Sequence, residues 1–184
     1  IPVTQTVMGY STMKRDHSHF AGQIGGLGGK NTNTLAKETD LAIAVGTKLA
    51  DFTTGSWANF ENKNFKLVSI NVSRFDANKH LAQAVIGDAK VSLTELSQVL
   101  GSWKAGEEWN KKSQIELKSW NEHIDKESAP TNQEVPSYVQ VIGAIYRNSD
   151  PTDIAVTAAG GLVGEVVQVW RPRELNTHET EWGF

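Results

Sequence analysis

The sequence has no cysteine at all. That absence excludes a disulfide framework, a thiolate metal site and a cysteine nucleophile. The chain has no excess of positive charge, since its formal net charge is −3. A nucleic-acid-binding surface needs clustered lysine and arginine to displace counterions. No apolar run approaches the ~20 residues of a membrane span. We therefore expect neither nucleic acid nor membrane as a partner, and a cytoplasmic location fits.

The start of the chain lacks an initiator methionine, and it lacks the basic region and apolar run of a signal peptide. Of the 184 residues, 39% are hydrophobic and 21% are charged, which is an ordinary globular balance. The length suffices for one domain, or for one domain plus part of another. The missing methionine is a first hint that the chain is a piece of a larger protein.

Short apolar runs that alternate with helical patterns predict parallel strands in the first hundred residues. The predicted strands cover residues 1–6, 41–45, 67–72 and 84–86. One predicted helix is capped by Asn31 and runs through Glu38, and a second, over residues 89–100, is capped by Asp88. The glycine-rich stretch 9–30 has the composition of a loop. This order predicts an α/β fold with a Rossmann-like, doubly wound parallel sheet over residues 1–101, covered on both faces.

The composition changes after residue 101. Residues 102–135 are predicted to form a polar helical connector and a linker. Residues 136–184 form a new unit, in which Pro136 occupies a first helical position, a strand covers 154–158, and a second helix starts near Glu165. One strand and two helices do not close a core. We therefore expect only the truncated start of a second domain, whose apolar tail docks on the first unit or on a neighbouring chain.

Motif searches for common catalytic and phosphate-binding patterns give negative results. The stretch Gly25-Gly26-Leu27-Gly28-Gly29-Lys30 lacks the spacing of a Walker A loop and the third glycine of a Rossmann fingerprint, so a flexible turn is the better interpretation. The five histidines have no partner at the i, i+4 spacing of a helical zinc site. No G-x-S-x-G elbow is present. The sequence thus predicts no catalytic residue and no metal ligand in this chain.

Small and polar residues follow the predicted strands, at the ends where ligands gather in doubly wound sheets. Gly46-Thr47, Asn71 and Gly87-Asp88 can hold an adenine nucleotide there. Turn formation and helix capping explain the same residues, and we favour that interpretation. In the second unit, Gly160-Gly161-Leu162-Val163-Gly164 follows a strand and precedes a helix, where backbone amides attract phosphate. Both candidate sites therefore lie at strand ends.

Several strings resemble thiamine-diphosphate-dependent enzymes of the acetolactate synthase-like superfamily. Those similar to the middle domain are 39–49 (TDLAIAVGTKL), 67–71 and 86–89. The string 153–160 resembles the first strand of the C-terminal, diphosphate-binding domain. Three further strings narrow the resemblance to the branch of hydrolases that open a cyclic dione in inositol breakdown: 51–56 (DFTTGS), 158–162 (AAGGL) and 178–184 (HETEWGF).

The resemblance implies a parent enzyme that uses thiamine diphosphate and Mg²⁺ to open a small cyclic 1,2-dione to 5-deoxy-glucuronate, as a homodimer or homotetramer. It assigns Gly160, Gly161 and Leu162 to the loop that meets the diphosphate, where acetolactate synthase relatives have Gly-Gln-His. It also places Glu181-Trp182-Gly183 at the border of that site, and the catalytic glutamate and the Mg²⁺ motif outside this chain. The alternatives are an FAD-, ADP- or NAD-binding Rossmann module and an acetolactate synthase-like carboligase.

Overall fold

The computed structural model describes residues 1–181, in which strands and helices follow one another along the chain. The strands are β1 (Val3–Gln5), β2 (Phe20–Gln23), β3 (Leu41–Val45), β4 (Lys66–Asn71), β5 (Gln83–Ile86), β6 (Ala155–Thr157) and β7 (His178–Thr180). The α-helices are α1 (Lys30–Glu38), α2 (Asp51–Thr54), α3 (Arg74–Ala77), α4 (Ala89–Leu100), α5 (Glu107–Glu127), α6 (Tyr138–Asn148) and α7 (Gly161–Val169). Among these residues, none of the helices has the length and apolar character that crossing a membrane requires.

The strand pairs within residues 1–181 are all parallel, and they form three sheets. β1 pairs with β2, the strands β3, β4 and β5 form a sheet in that order, and β6 pairs with β7. Parallel strands combined with helices confirm the predicted α/β fold class. The strands of residues 1–101 are nevertheless divided between two sheets, because β1 forms its hydrogen-bonded ladder with β2 and not with the sheet of β3, β4 and β5.

Strand β2 lies inside the stretch 9–30 that the sequence predicts as a loop. All four of its residues are buried. Gly22, whose φ is +103°, interrupts the apolar pattern by which a strand is recognised. The loop prediction is wrong here because the partner of β2 is a strand near the start of the chain, and no local pattern reports such a pairing.

The first two predicted helix caps have different outcomes. Asp88 caps α4 as predicted, since its Oδ1 accepts a hydrogen bond from the Val91 N–H at 3.0 Å. α1 instead has Gly29 at its N-cap position. Asn31 does not cap this helix, because its side-chain amide is directed backwards and donates to the Ala21 carbonyl at 2.9 Å.

Both helices of the second unit start at other residues than the sequence predicts. Ser137 caps α6 in a capping box, in which the Ser137 Oγ accepts from the Gln140 N–H and the Gln140 Oε1 accepts from the Ser137 N–H. Pro136 therefore precedes the cap and is not the first helical residue. α7 begins at Gly161, four residues before Glu165, because the backbone turns into the helix directly at Gly160.

The tail helix α7 is buried on two sides by other parts of the chain. One hydrophobic cluster consists of Ile124, Ile142, Val166, Val169 and Trp170. A second cluster consists of Val7, Val163 and Val167, with Leu27 packed against it. Each fully buried apolar side chain contributes roughly 1.5–3 kcal/mol. The tail therefore docks on the first unit and on the connector of the same chain, which is one of the two predicted arrangements.

The sheet of β3, β4 and β5 is only partly covered. Its buried part centres on a cluster of Ala44, Leu49 and Leu67. The exposed apolar strand residues are Leu41, Val45, Val85 and Ile86, and α4 buries none of its residues. Within residues 1–181, these apolar side chains are therefore left partly in contact with solvent.

The glycine-rich loop 25–29 packs against α2 at short range. The Gly26 N–H donates to the Phe52 carbonyl at 2.7 Å. A Cβ at Gly25 would lie 2.2 Å from that carbonyl oxygen, and the φ of Gly25 is +113°, which favours glycine. The Asn33 side chain donates to the Gly25 carbonyl at 2.9 Å and accepts from the Gly25 N–H at 3.0 Å. Hydrogen bonds therefore hold the loop against both α1 and α2.

A buried junction joins β7 to the first residues of the chain. The Tyr10 hydroxyl donates to the Trp170 carbonyl at 2.5 Å, and the His178 ring meets the Tyr10 ring edge-on with 4.8 Å between centroids. His178 is 5% exposed, and its Nε2 has no hydrogen-bond partner among residues 1–181. Burial disfavours the charged imidazolium and lowers the pKa of His178 to about 4.

We expect this junction to make the protein less stable in mild acid. The unfolded chain protonates His178 near pH 6.5, whereas the folded chain does so only near the lowered pKa of about 4. The contribution of neutral His178 to the free energy of unfolding is therefore fully present above pH 6.5 and is lost as the pH falls from 6.5 to about 4. This loss is at most about 3 kcal/mol. Urea unfolding of the wild type and of His178→Phe, at neutral pH and near pH 4, measures the effect.

The matched control for this prediction is His123→Phe, which replaces an exposed histidine on α5. The control should retain the acid-dependent loss of stability of the wild type, while His178→Phe should lose most of it. If all three proteins lost the same stability between the two pH values, the buried imidazole would not be its source.

We also expect Gly25→Ala to destabilise the protein by roughly 2–4 kcal/mol. The added methyl group would meet the Phe52 carbonyl, and alanine would be strained at this φ. Gly26→Ala is the matched control, since its Cβ would lie 3.8 Å from the same oxygen, an ordinary contact. Thermal unfolding should show a large decrease in Tm for the first variant and a small one for the second. Equal decreases would contradict the close contact.

Candidate functional site

The candidate site is the turn that leads from β6 into α7, and it consists of Gly160 and of the first two residues of the helix, Gly161 and Leu162. Gly160 has a φ of 145° and a ψ of 178°, a conformation that L side chains rarely adopt. Among residues 1–181, no atom lies within 4 Å of a Cβ built at Gly160 or Gly161. Leu162 is exposed. The turn therefore faces open space on the side where its backbone is accessible.

Backbone amides give this turn its electrostatic character. The first N–H groups of a helix have no partner within the helix. Within residues 1–181 no side chain caps these groups in α7, and the first turn of the helix contains no acidic residue. The helix dipole adds partial positive charge at the same end. The geometry can accept an anion such as a diphosphate, through the backbone.

The carboxyl ends of β6 and β7 lie beside this turn. Thr157 is in register with Thr180, and their hydroxyl oxygens are 3.1 Å apart. The Glu181 N–H donates to the Thr157 carbonyl at 2.7 Å. Glu181 thus lies at the end of the β6–β7 sheet where β6 leads into the turn. Trp182 and Gly183, which the sequence predicts at the border of the same site, lie outside the described residues.

Packing on the first unit of the chain fixes the position of the turn. Val163, directly after Leu162, is buried against Val7. A Cβ at Gly164 would lie 3.3 Å from the Leu27 Cδ2. Leu27 belongs to the glycine-rich loop, which also contacts α2 through the Phe52 carbonyl. The structure therefore links three strings that the sequence separates: 25–29, 51–56 and 160–164.

Sequence reasoning missed Leu27 as part of this arrangement. The loop 25–29 does lead into α1, as the turn interpretation requires. Its single apolar residue stands between two glycine pairs, and that isolation was the only available signal of a packing role. The contact itself joins distant parts of the chain, so residue spacing could not reveal it.

The other candidate site, at the ends of β3, β4 and β5, has its polar groups engaged in turns. The Asn71 Nδ2 donates to the Thr47 carbonyl at 3.1 Å, and the Asn71 Oδ1 accepts from the Ser73 N–H at 2.9 Å. The Gly87 N–H donates to the Asn71 carbonyl at 3.2 Å, and Asp88 caps α4. The structure brings the predicted residues to one edge, where they stabilise turns, as the favoured interpretation states.

The histidines have structural contacts. The His80 ring stacks on Trp57 with 4.1 Å between centroids, and its Nε2 lies 3.2 Å from the Leu49 carbonyl. The His19 Nδ1 lies 3.2 Å from the Asn110 Oδ1. Within residues 1–181, no group of three histidine, aspartate or glutamate side chains is arranged to hold a metal ion. The backbone turn at Gly160 is therefore the feature that best fits a ligand.

Two curated relatives of this chain are dione hydrolases by name. "3D-(3,5/4)-trihydroxycyclohexane-1,2-dione hydrolase 1" of Bacillus cereus is 32% identical over 213 aligned positions, which cover 100% of this chain and 32% of the relative. The enzyme of that name from Clostridium perfringens is 29% identical over 207 positions, with the same two coverages. This chain thus spans about a third of the length of the curated relatives it matches.

The first half of the chain matches a protein family. Residues 1–96 match the family described as "Thiamine pyrophosphate enzyme, central domain", pyrophosphate being another name for diphosphate. The matched range contains β1 to β5 and lies within the predicted unit 1–101. The boundaries of the three predicted units stay predictions. The chain belongs to the thiamine pyrophosphate enzyme family through its central domain, and the dione hydrolases are among its relatives.

Proposed function

We propose that this chain is part of a hydrolase that requires thiamine diphosphate and Mg²⁺ and opens the ring of 3D-(3,5/4)-trihydroxycyclohexane-1,2-dione. The product would be 5-deoxy-glucuronate, in inositol breakdown. The observation that carries the proposal is the similarity to dione hydrolases along the whole chain. The match to the central domain of thiamine pyrophosphate enzymes supports the cofactor. A cytoplasmic enzyme of two or four copies belongs to the same proposal, as the resemblance implies.

The turn before α7 fits the diphosphate end of this cofactor. Among residues 1–181, no atom lies within 4 Å of the Cβ positions of Gly160 and Gly161, so a phosphate can approach the backbone closely. Leu162 contributes its amide from the first turn of the helix, while its side chain is exposed. When bound, thiamine diphosphate supplies the nucleophilic carbon and the electron sink that cleavage of a C–C bond requires. We assign Gly160, Gly161 and Leu162 to holding the diphosphate.

The contribution of this chain at the turn is orientation. Val163 is anchored against Val7 and Leu27, which fixes the first turn of α7. Amides that are held in place need no reorganisation when an anion binds, and their interaction with it is stronger for that reason. The packing of the central domain thereby sets where the diphosphate lies.

The alternatives have less support. A nucleotide-binding module would use the strand-end residues Gly46, Asn71 and Asp88, whose polar groups are largely engaged in turns and capping. A carboligase of the acetolactate synthase type would need the same diphosphate turn, so the turn does not distinguish a carboligase from a hydrolase. The names of the relatives favour the hydrolase.

We expect the isolated chain of 184 residues to be inactive, because the resemblance places the activating glutamate and the Mg²⁺ motif in other segments. The purified chain, with thiamine diphosphate, Mg²⁺ and the dione, should give no product above a buffer control. Turnover would overturn this expectation.

Calorimetry on the same chain should show ADP or FAD binding weaker than the micromolar range. Micromolar binding that is lost in Asp88→Ala would favour the nucleotide-binding module.

A substitution in the full-length enzyme tests the diphosphate turn. Gly161→Val places a branched side chain in the open space beside the amides, which should weaken thiamine diphosphate binding by roughly 10- to 100-fold through lost charge-assisted hydrogen bonds. Gly106→Val is the matched control, since Gly106 also has no atom within 4 Å of its Cβ position and lies at the start of α5. The concentration of thiamine diphosphate at half-maximal activity measures the effect. Equal values for both variants would contradict the assignment.

A further inference from the structure

A small cavity lies where the end of β2 and the start of α1 meet α5 and α7. Its volume is about 10 Å³, and its lining includes Gln23, Asn31, Trp120, Val167 and Gln168. The cavity is thus enclosed by segments from the first unit, from the connector and from the tail. None of these residues belongs to the diphosphate turn or to the strand-end edge.

The cavity contains buried polar atoms that lack a partner. Neither the Nε2 nor the Oε1 of Gln23 has a hydrogen bond within residues 1–181, and the same holds for the Oδ1 of Asn31. Gln23 is 5% exposed and Asn31 is 3% exposed, so bulk water does not reach them. The Asn31 Nδ2 donates to the Ala21 carbonyl at 2.9 Å, which fixes the orientation of this amide and leaves the Oδ1 as the open acceptor.

Polar surroundings and size together identify an occupant. Buried polar groups in folded proteins nearly always have a hydrogen-bond partner, whereas cavities that stay empty have apolar linings. A space of roughly 10–15 Å³ holds one water molecule, which needs two to four polar partners. This cavity offers three such atoms, on two side chains. A larger ligand does not fit.

We propose that one ordered water molecule occupies this cavity and bridges Gln23 and Asn31. It donates one hydrogen to the Asn31 Oδ1 and accepts from the Gln23 Nε2, and its second hydrogen is available for the Gln23 Oε1. Val167 of α7, which is 2% exposed, lines the cavity. The water thereby connects β2 to the start of α1, and the docked tail separates it from solvent.

Water ¹⁷O relaxation dispersion on the whole chain tests the proposal, since it counts water molecules that exchange slowly with solvent. Gln23→Met removes both unpaired atoms of this side chain at similar volume and should reduce the count by one. Gln114→Met is the matched control. Gln114 lies on α5 and donates to the Phe20 carbonyl at 3.0 Å, outside the cavity lining, so the count should equal that of the wild type.

An unchanged count in a folded Gln23→Met variant would overturn the proposal. A crystal structure of the unsubstituted chain decides the matter independently of how the variants fold. Electron density for a water within hydrogen-bond distance of Gln23 and Asn31 would support the proposal. An empty cavity, or a direct hydrogen bond between the two side-chain amides, would overturn it.

Discussion

Helix α7 buries its apolar side chains against both ends of the preceding chain, and most features of the structure depend on this docking. One of its faces packs on Val7 near the N-terminus, and the other packs on α5 and α6. The driving force is the removal of valine and tryptophan side chains from water. The Tyr10 hydroxyl adds a directional contact to the Trp170 carbonyl at 2.5 Å, which fixes the end of the helix relative to the first residues.

Three local environments follow from this docking. The amides at Gly160 and Gly161 keep a fixed direction because Val163 is anchored. The cavity at Gln23 and Asn31 is lined by Val167 and Gln168 of α7. His178 is buried beside Tyr10, which lowers its pKa to about 4. A substitution that weakens the docking should therefore affect sites that are not in contact with one another.

The proposed function assigns to the central domain a positional role at the cofactor. Its strand-end residues, such as Asn71, stabilise turns, and its glycine-rich loop connects α2 to the start of α7 through Gly26 and Leu27. In this proposal, the domain aligns the binding turn, and other segments supply the reacting groups. Precise alignment matters for catalysis because it provides orientation before the reaction begins.

Elements that depend on local chemistry could be predicted from the residues alone. The apolar run Leu41–Val45 forms a strand, Asp88 caps α4, and the strings around them identified the enzyme family. Three features became visible only in the folded chain: β2 exists within a stretch that has the composition of a loop, Asn31 binds the Ala21 carbonyl and not its own helix, and the strings 25–29 and 160–164 meet. The physical reason is that strand pairing, side-chain hydrogen bonds and burial join residues distant in sequence, whereas apolar periodicity and capping depend only on near neighbours.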